Sequence, residues 1–247
     1  TRLLEDAILA YGDVASFEQL AALSDMDRAY ARKRISQLAE QGWLVRIKRG
    51  LYGLSDISSR GSLRLSHYTV AQLLVEESYI SFEAALQHHG MYDQLPQTIR
   101  SVACKQYKTT QVGGLTYRFI KTTDAYFYGW DSVVIDNRQV KMATAEKALL
   151  DLLMFERTTY TADLVVETLR NQQQSLDFAR LQAYLARSTT TIQRIVGFLL
   201  DLAGLNSTAV AALVAGTTGV SRITKQSILY NHKWRLYYDQ HFTLYTE

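Results

Sequence analysis

The sequence is poor in the features that would place it in a membrane or in an oxidising compartment. Its 247 residues include one cysteine, Cys104, so no internal disulfide forms, as is typical of proteins in a reducing cytosol. The longest apolar stretch, 195–205, is interrupted by Asp201 and is shorter than the ~18 residues that a membrane span needs. The start, 1–6, carries acids where a secretory signal would be apolar. We therefore expect a cytoplasmic protein with no membrane partner.

Motifs of common enzyme classes are also missing. We find no glycine-rich phosphate loop, no kinase motif set and no Ser–His–Asp order. With 47% hydrophobic and 21% charged residues, the chain has the composition of an ordinary globular protein with a real core. The sequence therefore predicts a folded protein that is not an enzyme and uses no cofactor.

Positive charge is concentrated in one short segment. The whole chain has a net charge of only +3, whereas residues 28–49 hold seven basic residues and one acid, Glu40, a net charge of +6. Such clustering on one element is the electrostatic signature of nucleic-acid binding.

Local signals around this segment predict a winged helix-turn-helix over residues 1–57. Helical spacing indicates a helix over 2–11, and Ser16 and Gln19 form a capping box for a second helix. A third helix runs from about Asp27 to Gln41 and ends at Gly42. Two apolar runs around a basic turn, 43–47 and 51–54, then indicate a β-hairpin.

The rest of the chain is predicted to form a partner-binding domain over 63–247, after a small, polar linker at 56–62. Its first part, about 63–158, is α+β, and its second, about 159–247, is mostly helical. The elements expected there are helices at 66–78, 81–90 (with Ser81 as N-cap) and 145–155 (with Thr144 as cap), strands at 99–105, 115–120, 125–128, 133–135 and 140–142, hairpin turns at 113–114 and 136–137, helices over 162–215 with breaks near 172–175, 188 and 204–207, and a final strand at 234–238. The fold class is therefore α+β.

The third helix separates an apolar face from a cationic face. On a helical wheel, Ala31, Ile35 and Leu38 fall together and face the first two helices. The opposite side and the hairpin tip carry residue types that contact phosphates and base edges. The residues predicted to bind DNA are Arg28, Tyr30, Arg32, Lys33, Ser36, Gln37, Lys48 and Arg49. A solvated helix with ordinary surface cations is the alternative, and the basic hairpin tip favours DNA binding.

Four other groups of residues have a chemical and a structural interpretation. Histidines 67, 88 and 89 suggest a metal site. Adjacent residues on a helix, such as 88 and 89, point about 100° apart and rarely share one ion. One packed and one exposed histidine at a helix end is therefore favoured over a metal site. Glu146, Lys147 and Asp151 suggest acid–base chemistry; an exposed i,i+4 pair between Lys147 and Asp151 is favoured, and an anchor between domains is a further alternative.

The last two groups lie in predicted strands. Cys104 is interpreted as a buried small hydrophobe rather than a nucleophile. The aromatic run at 125–130 has the residue types that stack on bases or meet a partner, but sheet core is the default interpretation because strands favour aromatic residues.

Three segments together resemble the AbiEi family, the antitoxins of type IV abortive-infection toxin–antitoxin systems. The wing, 44–52, resembles the basic "RGLY" ending of the family's winged helix. Residues 79–90 resemble its "S-x-x-S-A-L-x-x-H-G" helix, and 143–151 its "A-T-x-E-K-A-L-L-D" helix. The resemblance spans roughly residues 15–155 and is less clear beyond about 160.

The resemblance implies an autorepressor that binds inverted repeats in its own promoter, and an antitoxin that counteracts a nucleotidyltransferase-like toxin encoded in the same operon. It further implies that toxin neutralisation involves the region after the winged helix and that no stable complex with the toxin is required. Two alternatives stay open. One is a stand-alone regulator with a ligand-sensing or oligomerisation domain, and the other is an enzyme with an appended winged helix, which needs converging titratable groups in a pocket.

Overall fold

The computed structural model describes residues 2–24, 27–55 and 62–245. It divides into two compact units, the first formed by Thr1–Ile80, Pro96–Phe127 and Ser132–Lys141, the second by Ser81–Leu95, Tyr128–Asp131 and Met142–Glu247. Helices and strands both occur throughout the described ranges, which confirms the predicted α+β class. Of the predicted linker, residues 56–61 lie outside the described residues.

The N-terminal elements follow the predicted winged-helix order. They are α1 (Arg2–Tyr11), β1 (Val14–Ser16), α2 (Phe17–Ser24), α3 (Arg28–Glu40), β2 (Leu44–Lys48) and β3 (Leu51–Leu54). The hairpin β2–β3 is extended by β1, which pairs antiparallel with β3. Leucines of α1 and α2 form a buried core with Ile35 and Leu38 of α3. The helix-turn-helix and its wing therefore share one hydrophobic core.

Short-range hydrogen bonds fix the helix boundaries in this N-terminal segment. The Ser16 N–H donates to Gln19 Oε1 at 2.7 Å and the Gln19 N–H donates to Ser16 Oγ at 3.1 Å, which is the predicted capping box. Asp27 caps α3 by accepting from the Ala29 N–H at 2.8 Å. Gly42 follows α3 with φ of +76°, a conformation that glycine adopts without strain. These contacts orient the first turn of α3.

The middle of the chain forms a six-stranded sheet with the order β6-β7-β5-β4-β9-β8. Strand β5 runs parallel to β7, β4 pairs antiparallel with β5, and β6 pairs antiparallel with β7. The elements are α4 (His67–Leu74), β4 (Ser78–Ile80), α5 (Phe82–His88), β5 (Thr98–Ala103), β6 (Thr110–Val112), β7 (Leu115–Lys121), β8 (Trp130–Ile135) and β9 (Arg138–Ala143).

The predicted strand at 125–128 is wrong. Asp124–Tyr126 form a 3-10 turn instead, in which the Tyr126 N–H donates to the Thr123 carbonyl at 3.0 Å. Backbone hydrogen bonds within 123–127 therefore form a turn where the aromatic residues favour a strand. The predicted turn at 136–137 is confirmed: Asp136 and Asn137 both have positive φ, as a tight hairpin between β8 and β9 requires.

Most of the chain from about residue 159 onward, which lies in the second unit, is helical, as predicted, and the predicted helix breaks are confirmed. Its final strand is confirmed at β12 and belongs to a small sheet of order β10-β12-β11, which was not predicted. The elements are α6 (Ala145–Phe155), α7 (Thr159–Asn171), α8 (Phe178–Ala186), α9 (Thr190–Leu202), α10 (Thr208–Val214), β10 (Ser221–Arg222), β11 (Leu229–Asn231) and β12 (Leu236–Tyr238).

A glycine in α9 makes room for the most deeply buried tryptophan of this unit. Trp234 is 1% exposed and its indole N–H donates to Asp201 Oδ2 at 2.6 Å. A Cβ at Gly197 would lie 2.2 Å from two atoms of the Trp234 ring. The ring is fixed by its hydrogen bond and its burial, so the glycine is required by packing.

We expect Gly197→Ala to destabilise the protein by about 1–3 kcal/mol, the usual cost of overpacking, although alanine is the better helix former by about 1 kcal/mol. Urea unfolding measures the change. In a Trp234→Leu background the same substitution should be neutral or stabilising, because the clash is gone. An equal loss in both backgrounds would contradict the packing explanation.

Candidate nucleic-acid interface

Helix α3 presents a continuous exposed face opposite its buried residues. Ala31, Ile35 and Leu38 are at most 3% exposed and anchor the helix. Six of the predicted DNA-binding residues lie on this helix and all six are exposed: Arg28, Tyr30, Arg32, Lys33, Ser36 and Gln37. The exposed fraction of Tyr30 is 55%, which is large for an aromatic residue. Nothing in the described part of the chain covers this face.

A groove of about 870 Å³ separates α3 from the wing, and we call it the helix–wing groove. Four of the predicted residues line it: Arg28, Arg32, Ser36 and Arg49. The other lining residues are Phe17, Glu18, Ala39, Glu40, Arg46, Gly50 and Tyr52. Tyr30, Lys33 and Gln37 are exposed on α3 outside the groove. Guanidinium groups from two different elements therefore face a single concave surface.

Arg46 was missed by the sequence interpretation. It lies on β2 directly opposite Tyr52 of β3, is exposed, and lines the helix–wing groove with that tyrosine. The burial pattern of β2 does not alternate, because Leu44 is buried and Arg46, two residues later, is exposed. A regular strand places residues i and i+2 on the same face, so strand periodicity gave no signal that Arg46 faces the groove.

Lys48 is not brought into the groove. The register of the hairpin shifts between Arg46 and Lys48, as in a β-bulge, and a bulge redirects the side chains that follow it. The Lys48 side chain is half-buried, and its ammonium lies 3.5 Å from Glu76 Oε1, just beyond α4. Of the two predicted tip cations, only Arg49 therefore faces the groove.

Two carboxylates moderate the positive charge of the groove. Arg28 Nη2 donates to Glu18 Oε1 at 2.7 Å, and its guanidinium carbon lies 5.6 Å from the centre of the Phe17 ring. Glu40 lines the same groove. Arg28 is thus held by α2, whereas Arg32, Arg46 and Arg49 supply the remaining positive charge.

Lys147 and Asp151 form an ion pair in the second unit, as predicted, but the prediction that they are exposed is wrong. Both side chains are 0% exposed. The Ser81 hydroxyl donates to Asp151 Oδ2 at 2.7 Å and makes no cap hydrogen bond to α5. The Tyr128 ring lies 5.0 Å from the Lys147 ammonium and 3.8 Å from the Arg187 guanidinium. Burial lowers the pKa of Lys147, an effect that Asp151 opposes.

The reason for this difference is the position of α6. It packs against α5, α7, α8 and α9, so it has no solvated face for the pair to occupy. Glu146 is buried as well: it accepts from the Asp177 N–H at 2.8 Å and lies 3.6 Å from Arg180, and it so anchors the start of α8. The Lys147–Asp151 pair is thus enclosed by the helices around α6.

The predicted packing of the histidines is wrong. His88 and His89 are both exposed, because α5 ends there and the chain turns at Gly90. His89 Nε2 donates to the Ala143 carbonyl at 2.8 Å, which gives this residue a structural role. In the described ranges, no three His, Cys, Asp or Glu side chains lie close enough together to hold a metal ion.

The predicted burial of Cys104 in a strand and of the aromatic run in a sheet core is also wrong. Strand β5 ends at Ala103, so Cys104 lies in a bend and is only partly buried; burial, with Asp124, raises the pKa of its thiol. Tyr128 lies in the loop before β8 and contacts cations, while β8 begins only at Trp130.

The second unit has a separate polar groove of about 360 Å³. It is lined by Tyr92 and Asp93 from the loop after α5 and by Tyr160, Asp163 and Glu167 from α7, among others. None of the helices in the described part of the chain is long and apolar enough to cross a membrane.

The N-terminal residues match a known family. Residues 2–55 match the model of a family described as "Transcriptional regulator, AbiEi antitoxin", which confirms the resemblance inferred from the sequence for this part of the chain. The match ends before the two motifs at 79–90 and 143–151, whose similarity to the family remains a resemblance. No curated protein sequence matches the chain.

One solved structure is similar over nearly the whole length. The crystal structure of the RV2827C protein from Mycobacterium tuberculosis has a TM-score of 0.67 and 18% sequence identity, over 96% of this chain and 90% of that chain. At this identity the similarity shows that the two chains share a fold.

Proposed function

We propose that this chain, whose N-terminal residues are those of an AbiEi-type transcriptional regulator, represses its own promoter and neutralises a nucleotidyltransferase-like toxin encoded in the same operon. The observation that carries the DNA-binding part is the exposed cationic face of α3 together with the helix–wing groove. A helix of this kind fits the major groove, with its N-terminal residues at base edges. Such a regulator acts in the cytoplasm, on inverted repeats of double-stranded DNA.

We assign roles to seven of the eight predicted residues from their residue types and exposure. Arg32, Lys33 and Gln37 are assigned to base edges, since Arg and Lys pair with guanine and Gln with adenine. The hydroxyls of Tyr30 and Ser36 are suited to donate to phosphates. Arg49 on the wing adds sequence-independent affinity, and Lys48 adds less because Glu76 lies beside it.

Charge is divided unequally between the two units and supports two separate roles. The first unit has 17 basic and 12 acidic residues, a net charge of +5, and the second has 10 basic and 12 acidic residues, a net charge of −2. A polyanion such as DNA is attracted to the first unit. The second unit lacks this positive charge, and we assign toxin neutralisation to it. Neutralisation by this unit does not require a stable complex with the toxin.

Binding of the chain to DNA from upstream of its own gene tests the repressor role. We expect Arg32→Ala with Lys33→Ala to weaken operator binding by about 1–3 kcal/mol if either residue reads a guanine. Fluorescence anisotropy at fixed salt measures the change. Both residues are exposed, so the thermal unfolding midpoint should not move. Unchanged operator affinity in the double variant would refute the assignment of α3 as the recognition helix.

The antitoxin role is tested by co-expression with the neighbouring gene. We expect that gene to be toxic alone and harmless with the full chain, and the Arg32→Ala/Lys33→Ala chain to rescue growth while failing to repress. If the DNA-binding variant failed to rescue growth, neutralisation would depend on repression of the operon rather than on the second unit. A neighbour without toxicity would favour the stand-alone regulator, for which the polar groove at Tyr92, Asp93 and Tyr160 offers a ligand site.

A further inference from the structure

We propose that Glu18 is a specificity-determining residue of the helix–wing groove, because it holds Arg28 toward base edges and away from backbone phosphates. The inference rests on the proposed DNA-binding function and deepens it. Glu18 is on α2, the helix before the recognition helix, and it carries negative charge into a surface that is otherwise suited to a polyanion. A carboxylate in that place lowers the affinity for any duplex unless it also improves a contact between the protein and DNA.

The geometry indicates that the gain is the orientation of Arg28. This residue opens α3, at the end of a recognition helix that contacts base edges. Its Nη2 donates to Glu18 Oε1 at 2.7 Å, while the Phe17 ring lies 5.6 Å from the guanidinium carbon. Both side chains of the ion pair are about two-thirds exposed, at 67% and 68%. Arginine has five N–H donors, so those not used by Glu18 still face the groove.

The two kinds of DNA acceptor respond differently to this arrangement. A phosphate is an anion, is repelled by Glu18, and competes with it for the same guanidinium. The O6 and N7 atoms of guanine are neutral acceptors, so they accept from Arg28 while the bond to Glu18 is kept. Glu18 therefore lowers the affinity for DNA in general and leaves the affinity for a matched site largely intact. The result is a higher ratio of specific to non-specific binding.

Glu40 provides a matched control within the same groove. It lines the helix–wing groove like Glu18 and is exposed, yet no ion pair of Glu40 occurs in the described part of the chain. Glu40→Gln thus removes one negative charge from the groove without releasing Arg28, whereas Glu18→Gln does both. The difference between the two variants isolates the effect of holding Arg28.

The test compares two duplexes of equal length: one selected by the wild-type chain from a randomised library, and one of mixed sequence. We expect Glu18→Gln to tighten mixed-sequence binding about two- to fivefold, the range of an exposed ion pair, with no gain for the selected duplex. The specificity ratio then falls by the same factor. Glu40→Gln should change both affinities equally and leave the ratio unchanged.

Arg28→Met completes a double-mutant cycle between Glu18 and Arg28. In that background Glu18→Gln should behave like Glu40→Gln, because there is no guanidinium left to hold. A ratio that falls equally in Glu18→Gln and Glu40→Gln, or that falls with Arg28 already replaced, overturns the role of Glu18 while DNA binding stands. A wild-type chain that selects no sequence overturns the proposed function itself.

Discussion

Replacing Arg32, Arg46 and Arg49 together with alanine is expected to weaken binding to duplex DNA by roughly a hundredfold or more at about 0.1 M salt. Each phosphate neutralised by a cation contributes about 0.9 to the slope of log affinity against log salt, so the slope should fall by up to about 2.7. Operator and mixed-sequence duplexes should both lose affinity through counterion release, and the operator should lose more because Arg32 is also assigned to a base edge.

The expectation depends on where the three guanidinium groups lie. Arg32 belongs to α3, while Arg46 and Arg49 belong to the wing strand β2 and the hairpin tip that follows it. All three are exposed and line the helix–wing groove. Arg28 lines it too, but its charge is already paired with Glu18. The unpaired positive charge of the groove therefore rests mainly on these three residues.

The triple lysine variant is the matched control, because it keeps the charge and loses the planar, two-pronged donor geometry of arginine. We expect its salt slope to equal that of the wild type, with a lower preference for the operator if any of the three reads a guanine. Measured slopes for wild type, triple alanine and triple lysine distinguish charge from geometry. A triple alanine chain with the wild-type slope would show that DNA binds elsewhere on the molecule.

The N-terminal elements α1 to β3 could be predicted closely from the sequence because their signals are local. The capping box of Ser16 and Gln19, the cap at Asp27 and the stop at Gly42 involve residues no more than four positions apart. The apolar period of α3 identified its buried face, and hence its exposed face, without reference to the rest of the fold. Local consistency of this kind makes both a helix and its functional face predictable.

What could not be predicted depends on contacts between distant residues. The directions of the Arg46 and Lys48 side chains depend on a register shift in the hairpin, and no residue type in 44–54 predicts that shift. The burial of Lys147 and Asp151 depends on helices that pack around α6 from far along the chain. Strands β4, β6, β10 and β11 have two or three residues each, too few for a periodic pattern.

The buried ion pair in α6 leads to the second large expected effect. Asp151→Asn should destabilise the protein by about 3–5 kcal/mol, because the Lys147 ammonium then remains buried without a counter-charge. Asparagine keeps an oxygen to accept from Ser81, so the loss reports the charge and not that hydrogen bond. Lys147→Met should cost a similar amount by leaving Asp151 charged. The double variant Lys147→Met/Asp151→Asn leaves no charge at these two positions and should recover most of the loss. Urea unfolding of the four proteins gives the coupling energy.

The pH dependence of the same variants tests whether charge is the cause. Burial already lowers the pKa of Lys147, and the loss of Asp151 removes the main opposing influence. In Asp151→Asn the unfolded chain then binds more protons at Lys147 than the folded chain does, so stability rises with pH up to the ordinary lysine pKa of about 10.4. We therefore expect the deficit of Asp151→Asn to shrink between about pH 7 and pH 10, and the double variant to show no such recovery relative to wild type. If the stability loss of Asp151→Asn did not depend on pH, its cause would be altered packing at position 151. The buried Lys147 ammonium would then be tolerated without its carboxylate.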